Sequence, residues 1–126
     1  GSTLPLHVQL LWPARESPLA IVGGVEARLI EAEAQLRAGN AAQSLATLNA
    51  LRAATGAGSG GVAGLGALAD AGSEAARVDQ LFRERAFWLF ARGHRVGDLR
   101  RLIRQYNRPA NSVFPTGTFF KGGQYG

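Results

Sequence analysis

Four segments of this chain place apolar residues at helical spacing, and single glycine breaks join them in pairs. Over residues 25–38 the stripe is Val25, Leu29, Ala32 and Leu36. Over 41–54 it is Leu45, Leu48 and Leu51. Over 75–92 a wider surface combines Val78, Leu81, Phe82, Trp88, Leu89 and Phe90, and over 96–106 the stripe is Val96, Leu99, Ile103 and Tyr106. Gly39 with Asn40, and Gly93, leave room only for tight links, so each pair of helices must double back on itself. The expected fold class is all-α: two antiparallel helix hairpins, tetratricopeptide-like, with extended N- and C-terminal arms. That repeat is a helix–turn–helix of about 34 residues.

The remaining residues set the expected boundaries. Residues 1–24 read as an extended arm, because Leu4, Leu6, Val8 and Leu10 alternate and Pro13 and Pro18 block a helix. Gly1 and Ser2 read as a cloning scar, and the chain reads as an excised piece of a longer protein, without a visible signal peptide. Residues 25–106 form the expected helical-repeat domain, with a Gly- and Ala-rich loop at 55–72 that Val62, Leu65 and Leu68 can anchor. Residues 107–126 form a tail carrying Phe114, Phe119, Phe120 and Tyr125 between prolines and glycines.

Composition narrows the chemistry. There is no cysteine, which excludes disulfides and thiolate metal sites. No apolar run reaches the roughly 18 residues of a transmembrane helix. The net charge is +5, and Lys121 is the only lysine, so almost every cation is an arginine suited to planar, fixed ion pairs. The glycines at 56, 58 and 61 match a G-x-G-x-x-G spacing, but they follow a helix instead of a strand and read as a flexible loop. His94 and Asp98 lie four apart and are the candidate catalytic residues, a base and its orienting carboxylate. The competing reading is a helix-start network joining Asp98, Arg95 and backbone amides. His7 is the only other histidine, so a histidine-rich metal site is excluded, and no residue pattern calls for a metal or a cofactor. Glu31 and Glu33 point to helix sides about 200° apart, which makes them a poor acid–base pair; a partly buried Arg–Glu network of Glu33, Glu84, Arg85 and Arg95 fits better. Trp12, Trp88, Tyr106 and Tyr125 can stack on sugars, though core or docking roles fit better. Arg100, Arg101, Arg104 and Arg108 form a basic stretch that reads as a solvated or acid-paired face before a nucleic-acid surface.

Two blocks carry a family resemblance. The first is Glu31-Ala32-Glu33-Ala34, then Gly39-Asn40, then Leu48-Asn49-Ala50-Leu51-Arg52. The second is Glu84-Arg85, then Gly93, Arg95, Asp98-Leu99 and Arg101. In this order, with a variable loop between them, they resemble the C-terminal helical part of the SusD/RagB family. Trp88 and Arg92 stand where that family often has glutamates. The resemblance implies a parent lipoprotein at the outer membrane or cell surface, which captures nutrients, mostly glycans, for a TonB-dependent outer-membrane transporter. The helical half is then mainly scaffold and transporter contact.

The expected function is therefore a non-catalytic scaffold or interaction fragment. An alternative is a small oligomeric enzyme, most plausibly a hydrolase with its site at a subunit interface. A third is a basic helical nucleic-acid binder. A short helical array leaves an apolar face open, so the fragment is also expected to self-associate as a homo-oligomer.

Overall fold

The computed structural model describes residues 14–17, 23–54 and 64–125. Among them it is all-helical, with five helices and no strand: α1 (Gly24–Arg37), α2 (Ala41–Ala53), α3 (Glu74–Trp88), α4 (Arg95–Tyr106) and α5 (Ala110–Val113). The chain divides into two compact units, Gly1–Asp70 and Ala71–Gly126, each holding one helix hairpin. The three glycines 56, 58 and 61 of the 55–72 loop and Val62, like His7, Trp12 and most of the N-terminal arm, lie outside the described residues.

In the first unit, α1 and α2 pack against each other. The link is a Schellman turn. Gly39 sits at φ +82°, the Gly39 amide donates to Leu36 O, and the Asn40 amide donates to Gln35 O. A side chain here would have to adopt the left-handed conformation that only glycine takes freely. Leu29, Ala32, Leu48 and Leu51 are buried as their stripes require, while Val25, Leu36 and Leu45 are half-buried. The Thr47 hydroxyl donates to Gln35 Oε1 at 2.8 Å and ties the two helices together.

The segment after α2 is held by polar groups, where the apolar residues Leu65 and Leu68 were the expected anchors. Asn49 grips the backbone of Leu68 twice: its Nδ2 donates to Leu68 O at 3.1 Å, and its Oδ1 accepts from Leu68 N at 2.7 Å. Arg52 Nε donates to Gly66 O at 2.6 Å, and the Leu65 amide donates to Arg52 O at 2.7 Å. Leu65 itself is exposed. An extended segment has no backbone ladder of its own, so an amide side chain that offers both donor and acceptor satisfies it.

In the second unit, the Ser73 hydroxyl caps α3 by accepting from the Ala76 amide. Val78, Leu81, Phe82 and Leu89 are buried. The helix stops at Trp88, four residues short of the 92 that periodicity suggests. The reason is local backbone geometry: Leu89 leaves the helical region, and Ala91 (φ +58°) and Gly93 (φ +79°) turn the chain left-handed. Helix α4 ends at Asn107, also left-handed at φ +52°. Asparagine tolerates that conformation better than most residues.

The contacts between α3 and α4 show an antiparallel pair. Arg85 meets Asp98, Phe82 meets Arg101 and Tyr106, and Arg108 meets Asp79 and Ala75. After α5, the tail folds on itself. Thr118 and Gln124 form an isolated antiparallel bridge, the Phe119 amide donates to Gly123 O, and the Phe119 ring lies 4.5 Å from Phe120 and 5.2 Å from Tyr125.

The α3–α4 turn generates a prediction of opposite signs at neighbouring positions. Ala91 is exposed and holds a conformation that suits glycine, so Ala91→Gly should raise stability by about 0.5–1 kcal/mol. Gly93→Ala meets no atom within 4 Å, so its cost is purely conformational, and it should lower stability by about 1 kcal/mol. Chemical denaturation of the two variants beside the parent chain measures both. A loss of stability in Ala91→Gly would show that the turn is not left-handed at this residue.

Candidate functional site

The best-built polar cluster among the described residues is Arg85 with Asp98. Arg85 lies on the last full turn of α3 and Asp98 on the first turn of α4, and each is 4% exposed. Arg85 Nε donates to Asp98 Oδ2 and Nη2 donates to Oδ1, both at 2.9 Å. This two-point fork fixes the relative orientation of two planar groups as well as their distance. Arg101, one turn further along α4, adds a third donor through Nη1 at 3.3 Å. Its guanidinium carbon stands 5.5 Å from the centre of the Phe82 ring, and Phe82 meets Tyr106 edge to face at 5.3 Å. A continuous set of contacts therefore runs from Arg85 through Asp98, Arg101 and Phe82 to Tyr106.

One atom of this cluster is unsatisfied among the described residues. Arg85 Nη1 is buried and has no hydrogen-bond acceptor. A buried donor left in this state costs about 1–3 kcal/mol. Next to the cluster, Trp88 Nε1 donates to Glu84 Oε2 at 3.1 Å, within one helix face.

The candidate catalytic residues His94 and Asp98 both stand at the start of α4. His94 is the residue that precedes α4, and its backbone carbonyl accepts from the Asp98 amide at 3.0 Å. The Asp98 carboxylate itself is engaged by Arg85 and Arg101. An orienting carboxylate must accept from the imidazole, whereas this one accepts guanidinium donors on both oxygens. Arg95, expected in the same network, is exposed. Among the described residues no group of three or more His, Cys, Asp or Glu is placed to hold a metal ion.

The other sequence candidates divide by helix face. Glu31 is exposed and accepts from Arg28 at 2.6 Å and from Gln35 at 3.2 Å, while Glu33 is buried. Arg101 and Arg108 of the basic stretch are committed internally: Arg108 Nη2 donates to Ala75 O at 2.7 Å and to Asp79 Oδ1 at 2.8 Å. Arg100 and Arg104 are exposed. Trp88 and Tyr106 are half-buried, and Tyr125 is exposed.

Reading the sequence by residue type named Arg85 and Asp98 but not their union. Hairpin symmetry would have found it. Arg85 and Asp98, Phe82 and Arg101, and Ala75 and Arg108 are each equidistant along the chain from residues 91 and 92.

In comparisons with known proteins, no family model matches this chain, and neither does any curated protein or solved structure.

A double-substitution cycle tests whether the Arg85–Asp98 pair is a structural tie. Asp98→Leu alone strands a buried guanidinium and Arg85→Met alone a buried carboxylate, and each should lower stability by about 3–5 kcal/mol. Replacing both residues, as Arg85→Met with Asp98→Leu, removes both charges and should cost clearly less than either single change. Urea denaturation followed by far-UV circular dichroism reads all three. Additive losses would mean that the two side chains do not interact.

Proposed function

We propose that this chain is a non-catalytic helical scaffold of the SusD/RagB type, belonging to a surface lipoprotein that captures nutrients, glycans for the most part, for a TonB-dependent outer-membrane transporter. One observation carries the reading: five polar residues of the two resemblance blocks, Asn49, Arg52, Arg85, Asp98 and Arg101, are spent on holding the chain together. Asn49 and Arg52 of the first block grip the backbone at Leu68 and Gly66. Arg85, Asp98 and Arg101 of the second block bind one another. Side chains used in this way are unavailable for turnover, and they fit a part whose work is to keep a shape.

The catalytic alternative rests on His94 and Asp98, and the arginine donors on Asp98 favour the scaffold reading over it. The nucleic-acid alternative rests on the basic stretch, two of whose four arginines are engaged internally. No helix among the described residues is long and apolar enough to cross a membrane.

The parent gene supplies the direct test. A signal peptide followed by a lipoprotein cysteine, beside a gene for a TonB-dependent transporter, is the expected arrangement. A parent gene with neither would overturn the reading. A second test uses the chain itself: it should turn over nothing in a panel of ester, glycoside and phosphate substrates. An activity that disappears in His94→Ala at unchanged melting temperature would transfer the assignment to the enzyme reading.

A further inference from the structure

The α3–α4 hairpin encloses a cleft of about 830 Å³, within the size range of small-molecule sites. All of its lining residues belong to the second unit. Its apolar lining includes Phe87, Phe90 and Val96, which are 72%, 63% and 55% exposed. Large aromatic side chains left in water around one concave surface mark a place that gains by being covered. Its charged lining is unbalanced. Asp79 is held by Arg108, and Asp98 by Arg85 and Arg101, so both carboxylates of the lining are matched. Arg83 and Arg95 line the same cleft with exposed side chains. Arg85 lines it too, buried, with the Nη1 donor that has no acceptor among the described residues.

We propose that this cleft binds a small aromatic carboxylate, its ring against Phe87, Phe90 and Val96 and its carboxylate drawn to Arg83 and Arg95. Each half of such a ligand answers one half of the lining. An aromatic ring stacks offset or edge-on with phenylalanine rings, and a planar carboxylate suits guanidinium forks. A second copy of the chain fits this surface poorly, because it would bring the same arginines against one another. The proposal stands apart from the scaffold reading, since it uses exposed residues that neither resemblance block supplies, apart from Arg95.

Naphthalene-2-carboxylate, titrated into the full chain and followed by amide chemical shifts, is the test, with naphthalene-2-carboxamide as its uncharged counterpart. The carboxylate should shift the amides of residues 87–96 saturably, with a Kd below about 1 mM. The carboxamide should bind about tenfold more weakly. Arg83→Gln combined with Arg95→Gln should reduce carboxylate affinity to that of the carboxamide, and Phe90→Ser should weaken both probes. All three side chains are exposed, so far-UV circular dichroism should be unchanged in these variants. Equal affinities for the two probes, shifts scattered away from residues 87–96, or no saturation at millimolar probe would overturn the proposal. So would amide shifts of these residues that move with protein concentration before any probe is added, which would place a second copy on the face.

Discussion

The second unit is organised around one ion pair that is almost sealed from water. Taking Arg85 and Asp98 out of solvent costs several kcal/mol for each charge, at order of magnitude. Their mutual attraction compensates only when the geometry is good, and here it is: two parallel hydrogen bonds of 2.9 Å, with Arg101 as a third donor. Such a pair adds little net stability compared with well-packed hydrocarbon, but it penalises alternatives severely. Sliding α4 by one residue against α3 would part the fork and strand both charges. We therefore read the pair as the device that sets helix register, a role for which the aliphatic contacts alone are too permissive. Leu81, Val78 and Leu89 would bury nearly as well one step along.

The first unit meets the same need with neutral groups. Its hairpin is pinned by Gln35 and Thr47, and its following segment by Asn49 and Arg52. In both units the apolar residues supply burial, and a few polar side chains decide which arrangement that burial takes. Small cores of alanine and leucine need this. Alanine offers little shape for neighbours to read, and interlocking side chains are what normally select one packing.

Regular periodicity made the helices legible in the sequence. Leu29, Ala32, Leu48, Leu51, Val78, Leu81 and Phe82 fall on the expected stripes and are buried. Gly39 marked its turn because only glycine adopts φ +82° at little cost. Where the pattern misled, the cause was a property that hydrophobicity does not record. Phe90 extends the apolar run of α3 in the sequence but lies beyond the helix, since Ala91 turns left-handed despite its side chain. Alanine gave no warning there, being the best of helix formers. The candidate site was legible in part. The charges of Arg85 and Asp98 point to helical networks, but residue type alone sets Arg85 against Glu33 and Glu84, and Asp98 against its sequence neighbour Arg95. The partner in space follows from the hairpin's symmetry about residues 91 and 92, which requires the turn to be placed first.

The same turn separates what the hairpin holds from what it presents. Moving from residue 85 towards residue 91, side chains pass from the sealed ion pair to Phe87 and Phe90 in water. Returning along the chain, Val96 is open and Asp98 is sealed again. The boundary does not coincide with the end of α3 at Trp88: Phe87, inside the helix, is exposed, and Leu89, just beyond it, is buried. Had the helix continued to residue 92, Phe90 would have stood about 100° round the helix from Leu89, on the side of exposed Arg83, so its exposure does not depend on the early stop. The early stop carries a conformational cost at Ala91, and a strained residue persists where the surrounding structure over-determines it. In this hairpin the constraint is visible: the Arg85–Asp98 fork holds the two helices together just below the turn, so the turn must close in the few residues left to it.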